Sequence, residues 1–314
     1  MFAVCLEASH QRGLGHLFRQ LSLVAHFIEQ GAPFVVLVND YAVAHGILRA
    51  HGIPFETVPL AGEPGWESPL IRRLGITTWI NDRLDTGGAH AAAVKNEGIH
   101  LATFDDRGEG AALSDLHIAA LCIEDSEKLT GKRVVTGMRY LVLDRSIERF
   151  RRLRSSADRI LVTLGGTDTY GVTVRAVELL KRVGRGATVV LGPGFRHLPQ
   201  LQSVVSPAFE IKQSVKSLIE EFARHDVAIT GGGMTPFEAS ASGLPCVIVA
   251  NEWFEVPLAK YLEGLGCSIF AGHHSEIEAI PLPTIRDVEA MSRAGMAQID
   301  TRGAENVYRE LVRP

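Results

Sequence analysis

No stretch of this chain reaches the ~20 consecutive apolar residues that a membrane-spanning helix needs. No basic segment leading into an apolar core opens it either, because Glu7 and His10 interrupt the first apolar run. The expectation is a cytoplasmic protein with no integral membrane segment. Cysteine is scarce: Cys5, Cys122, Cys246 and Cys267 are the four in 314 residues. None forms a C-x-x-C pair and each lies in or beside an apolar run. They read as core filler in a reducing compartment, not as zinc ligands or a disulfide framework. No metal site and no cofactor is expected. A P-loop lysine, a G-x-S-x-G elbow and an H-E-x-x-H pair are all missing, which sets aside the chemistries those motifs carry. Positive charge is not in excess. A formal net charge of -4 speaks against a surface devoted to nucleic acid. Low-complexity segments and close internal repeats are absent as well.

What is there is a globular balance, 46% hydrophobic and 22% charged residues, on a chain long enough for two domains. Short apolar runs alternate with amphipathic stretches. Phe2 to Leu6 reads as a buried strand. A helix follows Gly13 and Gly15, with Leu17, Phe18, Leu21, Val24, Ala25 and Ile28 on one face and Gly31 as its stop. Phe34 to Val38 is a strand and Ala42 to Ala50 a helix. Further strands are expected at Thr77 to Ile80, His100 to Phe104 and Leu116 to Cys122. The pattern restarts after the charged stretch Arg145 to Arg159. Ile160 to Leu164 is a strand, and a helix with Val172, Ala176, Leu179, Leu180 and Val183 on one face comes next. Ala187 to Leu191, Val227 to Thr230 and Pro245 to Val249 are strands. This alternation predicts two Rossmann-like α/β domains with parallel sheets, spanning residues 1–155 and 156–314.

In open α/β sheets ligands bind beyond the carboxyl ends of the strands, so the informative loops follow strands. Gly13-Leu14-Gly15-His16 is the first. Its glycines let the backbone approach a ligand, and His16 sits near a helix N-terminus, where the dipole disfavours a charged ring. The third glycine of a dinucleotide fingerprint is replaced by Phe18, and on spacing alone an ordinary glycine turn is the simpler account. Thr230-Gly231-Gly232-Gly233-Met234-Thr235-Pro236-Phe237-Glu238 is the second. A strand, three glycines and a helix start form an anion site. Two readings of Glu238 stand side by side: a capping box with Thr235 as N-cap, or an acceptor for ribose hydroxyls. The next loop is Ala250-Asn251-Glu252-Trp253. Gly165-Gly166-Thr167-Asp168 is the third candidate, as a cleft lining or as a plain αL turn. Asp105-Asp106-Arg107 reads as a cation site or a solvated pair. His273-His274 reads as surface, and Trp66, Trp79 and Trp253 as core or pocket wall.

Five of these segments fall in the order of a known family. Gly13-Leu14-Gly15-His16-Leu17-Phe18-Arg19 resembles the G-x-G-H-x-x-R start of the UDP-sugar hydrolases of pseudaminic acid biosynthesis (PseG) and their spore-coat polysaccharide relatives (SpsG). Phe104-Asp105-Asp106 resembles the family's I-D-D. Gly137 to Leu143 resembles G-x-x-Y-x-x-L, and Gly165 to Asp168 its G-G-[ST]-D. Gly232 to Glu238 resembles G-G-x-[ST]-x-x-E, shared with the peptidoglycan transferase MurG. The resemblance implies a glycosyltransferase-B architecture, two Rossmann-like domains facing across a cleft, with the nucleotide mainly on the second. It implies a metal-independent release of UDP from a modified amino-sugar, with His16 as the catalytic residue and Glu238 as the ribose ligand. Substrate contacts are expected at Gly13, Gly15, Arg19, Asp106, Gly165, Gly166, Thr167, Gly231, Gly232, Gly233, Met234, Thr235, Glu238 and Asn251. The chain departs from the family at Cys5 and Glu7, where R-x-D is usual. It departs again at Arg83-Leu84, where a tyrosine commonly follows the aspartate, and at Asn251-Glu252 in place of N-Q. Hydrolysis of a UDP-sugar is the first expectation. A glycosyltransferase with a UDP-sugar donor is the alternative, and a non-catalytic nucleotide-sugar sensor the third.

Overall fold

A computed structural model describes residues 1–121, 129–213 and 215–313, and among them the chain divides into two compact units, Met1–Val142 with Arg302–Pro314, and Leu143–Thr301. Each is built on a parallel sheet.

The first unit has strands β1 (Phe2–Leu6), β2 (Phe34–Val38), β3 (Phe55–Thr57), β4 (Thr78–Asp82), β5 (His100–Phe104), β6 (Leu116–Ala119) and β7 (Val134–Thr136), in the order β3-β2-β1-β4-β5-β6-β7. The expected strand from Leu116 ends at Ala119, and Cys122 lies outside the described residues. Helices α1 (Gly15–Glu29), α2 (Ala42–Ala50), α3 (Glu67–Leu74) and α4 (Gly88–Asn96) make the crossovers. Strands β1 and β2 are near-continuous apolar runs because both faces of such a sheet are covered. Trp79 on β4 is fully buried among Ala3, Val35, Leu37, Ala91 and Leu101.

The apolar face expected for α1 is buried only in part. Phe18 and Ile28 are 40% and 57% exposed, while Leu17, Arg19, Gln20, Leu23, Val24, His26 and Phe27 turn inward. Polar Arg19 and Gln20 are drawn in by carboxylates that the local sequence does not reveal.

The second unit has α5 (Ile147–Phe150), β8 (Ile160–Thr163), α6 (Val172–Arg182), β9 (Ala187–Leu191), α7 (Leu198–Val204), β10 (Phe209–Gln213), α8 (Leu218–Arg224), β11 (Val227–Gly231), α9 (Thr235–Ala241), β12 (Cys246–Ala250), α10 (Val256–Gly264), β13 (Ser268–His273) and α11 (Ile285–Gln298), with strand order β10-β9-β8-β11-β12-β13. The final helix α12 (Gly303–Leu311) belongs to the first unit and packs on α1. Gly303 is required there, because a Cβ would fall 1.7 Å from the Leu141 carbonyl oxygen.

The division therefore falls at Val142/Leu143, not near residue 155, and the last residues return to the first unit. The charged run that reads as a linker is packed. Arg154 is fully buried and donates to the carbonyl oxygens of Arg152, Ser242 and Phe222. Arg152 donates to those of Ala223 and His225. A guanidinium whose donors meet main-chain acceptors can be buried where composition alone predicts solvent.

In both sheets the strand order reverses once, between β1 and β4 and between β8 and β11. Beyond the carboxyl ends of such a pair the flanking loops diverge and leave a crevice.

Candidate active site

In the first unit, His16 follows β1 and Asp82 ends β4, with Leu6 and Asp82 in register across the reversal. Gly13 has φ +77°, and Gly15 opens α1 with nothing within 4 Å of where a Cβ would stand. His16 is the second helical residue, its side chain 18% exposed. His16 Nδ1 lies 2.6 Å from Asp82 Oδ1. Asp82 is fully buried and also accepts from Arg19 Nε at 2.9 Å, from Arg19 Nη2 and from Gln20 Nε2 at 2.7 Å. Burial pushes this carboxyl up, but Arg19 and His16 outweigh it and hold the group well below the usual carboxylate range. An ionised Asp82 only accepts, so His16 Nδ1 is the donor. In the neutral ring Nε2 then carries the lone pair that can take a proton. Arg19 Nη2 also lies 3.4 Å from Nδ1, but two donors cannot bond, and the shorter carboxylate contact decides the tautomer.

Arg19 spans two carboxylates. Its Nη1 donates to Asp105 Oδ2 at 2.5 Å, and its guanidinium lies over the Phe104 ring. Asp105 adopts φ +43° and accepts the Leu121 main-chain N–H with its other oxygen. Arg19 is thus a buried support for His16. Asp106 is 2% exposed; it accepts the N–H groups of Thr86 and Gly108 at 2.9 Å and the Thr103 hydroxyl. The two aspartates are neither solvated nor paired with Arg107: one grips Arg19, the other frames the loop.

The second unit has loops of another kind. Gly165 has φ +90°, and a Cβ on Gly192 would lie 2.4 Å from the carbonyl oxygens of both Gly165 and Gly166. Thr167 is buried beside them. Asp168, at φ +43°, accepts the N–H groups of Val172 and Thr173 at 2.8 Å, so α6 carries its own anion. Gly231 ends β11, Gly232 and Gly233 follow, Met234 precedes the helix and Thr235 begins α9. No side-chain cap forms there, so the capping box expected of Thr235 and Glu238 is not made. Thr235 already lies inside the helix, where its side chain does not reach the N3 donor. Glu238 is half-buried; burial, with Asp144 as the next charge, pushes its carboxyl up to about 8. Asn251 Nδ2 would lie 2.7 Å from a Cβ on Gly231. Among the described residues Asn251 Oδ1 and Thr230 Oγ1 are buried without a hydrogen-bond partner.

Two corrections concern this edge. His273 is buried, its ring stacked on Trp253 at 4.1 Å, and His274 stacks on Tyr170 at 4.3 Å. Trp253 is itself 60% exposed and is no core residue. The sequence reading gave no site role to Asp82, Gln20 or Glu255, and it did not pair Asp105 with Arg19. A usable signal for Asp82 was present: a carboxylate closing an otherwise buried strand.

No known protein-family model matches the chain. The spore coat polysaccharide biosynthesis protein SpsG of Bacillus subtilis is 22% identical over 45% of this chain and 44% of its own length. An uncharacterised protein of Methanocaldococcus jannaschii is 29% identical over 36% of this chain and 26% of its own length. The matches thus span less than half the length of these curated relatives. Solved structures resemble the whole chain. MurG of Acinetobacter baumannii has a TM-score of 0.69 at 15% identity, covering 99% of each chain. The spinosyn rhamnosyltransferase complexed with thymidine diphosphate has 0.63 at 13%, covering 99% of this chain and 100% of its own. The UDP-GlcNAc 2-epimerase of Neisseria meningitidis bound to UDP-GlcNAc has 0.61 at 12%, with the same coverage. At these identities the likeness is one of fold: this chain has the two parallel α/β units of the glycosyltransferase-B type. No helix among the described residues is long and apolar enough to cross a membrane.

Proposed function

We propose that this protein transfers a sugar from a nucleoside-diphosphate donor, uridine being the expected base, to a hydroxyl acceptor. The observation that carries the reading is the His16–Asp82 pair at the switch point of the first sheet. Asp82 holds Nδ1, so Nε2 can remove the acceptor's proton as its oxygen attacks the anomeric carbon. The carbon–oxygen bond to the diphosphate breaks, and its electron pair leaves with the nucleotide. A diphosphate is already a good leaving group, so the second unit's task is to hold it. Main-chain donors of Gly231 to Gly233, with Met234, Thr235 and the Gly165 to Thr167 loop, take the phosphates; Glu238 takes the ribose hydroxyls, and Asn251 lies beside them. Solved structures with thymidine diphosphate and UDP-GlcNAc on the same fold support a nucleotide-sugar, and the transferases among them favour transfer over hydrolysis.

Hydrolysis is the second reading, favoured by the SpsG-like motifs; water then replaces the hydroxyl on the same base. Incubating the purified protein with UDP-sugars, with and without acceptor-containing extract, separates the two. UDP release that requires extract is the expected result. Release in buffer alone establishes hydrolysis. Absence of both, with a folded protein that still binds UDP, refutes catalysis.

A further inference from the structure

The Gly231–Gly233 loop is already engaged by an anion from the chain itself. Glu255 Oε2 accepts the main-chain N–H of Asn251 at 2.7 Å and that of Glu252 at 3.3 Å, and the same carboxylate packs against Gly232. Packing there is tight: a Cβ on Gly232 would lie 2.6 Å from Glu255 Cβ and 2.8 Å from its Oε2. Gly232 and Asn251 follow the carboxyl ends of two adjacent strands, β11 and β12.

We propose that Glu255 is an internal occupant of the phosphate cradle, and that the donor's diphosphate binds by displacing its carboxylate. The inference rests on the nucleotide-sugar reading above and adds a competition inside that site. The plainer account is helix capping, since Glu252 and Glu255 form a reciprocal capping box on the turn Trp253–Glu255 that leads into α10. Capping needs only the Glu252 N–H, and that is the longer bond. The shorter one, to Asn251, lies outside the turn, and the carboxylate's contact with Gly232 reaches the glycine loop itself.

An ionised carboxylate and a phosphate cannot share one N–H, and side by side they repel. The charge facing Glu255 from its own turn is a second carboxylate, Glu252; the other partners are main-chain donors. Burial, the largest influence, raises this carboxyl above its ordinary range, so the group gives up its charge more easily than an exposed glutamate does. Displacement takes the turn with it. Trp253 in that turn stacks on His273 with the rings 5° from parallel, and the other two tryptophans, Trp66 and Trp79, belong to the first unit. Trp253 is therefore an optical reporter of the event.

The test is calorimetric titration of UDP and of uridine into wild type and Glu255→Gln, in two buffers of different ionisation enthalpy near neutral pH. Glutamine keeps an acceptor for the capping box, and matched thermal melts establish folding; Glu255→Ala is the second variant. The expected result is UDP binding about tenfold tighter in Glu255→Gln, a free-energy gain of ~1.4 kcal/mol, with uridine affinity unchanged. Wild type should take up more protons on binding UDP than the variant does, and Trp253 emission should change with UDP but not with uridine. A wild type that binds UDP while both folded variants bind it no tighter overturns the proposal and leaves the nucleotide reading standing. Folded wild type and variants that all fail to bind UDP overturn the nucleotide reading, and this proposal falls with it.

Discussion

In the first unit His16, Arg19, Gln20, Asp82 and Asp105 at the carboxyl ends of the sheet hold one another, whereas in the second Asp168 and Glu255 are held by main-chain N–H groups. His16, Arg19, Gln20, Asp82 and Asp105 form a network in which two buried carboxylates are matched by a guanidinium and an imidazole. Gly192 instead lies against the carbonyl oxygens of Gly165 and Gly166, Gly231 against the Asn251 amide, and Gly232 against the Glu255 carboxylate. Burying charge is costly, and each charge in the first network is tolerated only while its partner stays. Such a site is rigid and over-determined, which suits a base that must point one way. Main-chain donors carry no net charge and accept one anion as readily as another, which suits a ligand that must arrive and leave.

The largest expected effect separates the two regions by function. His16→Asn should lower kcat about 10²–10⁴-fold, the usual worth of a general base, with UDP affinity unchanged by calorimetry. Near-normal turnover in a folded variant would remove His16 from the catalytic role.

Next is Asp82→Asn, which leaves Arg19 short of a counter-charge and His16 facing a neutral amide in place of a carboxylate. A loss of about 3–5 kcal/mol in urea unfolding is expected, the cost of breaking a buried pair. The acid profile sharpens this. Asp82's carboxyl is depressed in the folded state and titrates near 3.9 when unfolded. Its contribution is therefore complete above about pH 4 and is lost as pH falls further, so the gap between wild type and variant should close below about pH 4. A gap that persists unchanged there would show that Asp82 acts through packing alone.

Glycine substitutions probe the contrast more gently. Gly232→Ala pushes a methyl against Glu255 Cβ, and a loss of about 1–3 kcal/mol in thermal or chemical melts is expected. Gly15→Ala meets open space at the start of α1 and should stay within about 0.5 kcal/mol of wild type. Equal effects at the two positions would erase the distinction between a close-packed cradle and an open helix start.

The last test concerns Glu238. Its carboxyl is raised to about 8 in the folded state against about 4.3 unfolded. The folded form keeps a proton that the unfolded form has lost, so wild-type stability should decline as pH rises from about 4.5 to 8. Glu238→Gln should flatten that decline in melting temperature, and parallel profiles would show that Glu238 is not held in a raised state.

Much of this was legible in the chain. Buried parallel strands are apolar runs bounded by glycine, and β1, β2, β5 and β9 coincide with the segments read from them. The glycine loops and His16 were visible because they follow such strands. Strands with broken patterns escaped: β3 (Phe-Glu-Thr), β7 and β10 are short or polar edge elements, stabilised by a neighbour more than by their own composition. Nothing in the charged stretch Arg145 to Arg159 marks Arg152 and Arg154 for main-chain acceptors, which distant segments bring to them. By itself the sequence determined the α/β class, the two sheets and the loops on which polar chemistry sits, because hydrophobic period and glycine placement are local properties. Only the tertiary structure decided which carboxylate holds His16, that Glu255 sits on the Gly232 loop, and that the last helix returns to the first unit. Those pairings join residues 66, 23 and about 160 positions apart, and no local pattern records which distant strand ends will be neighbours.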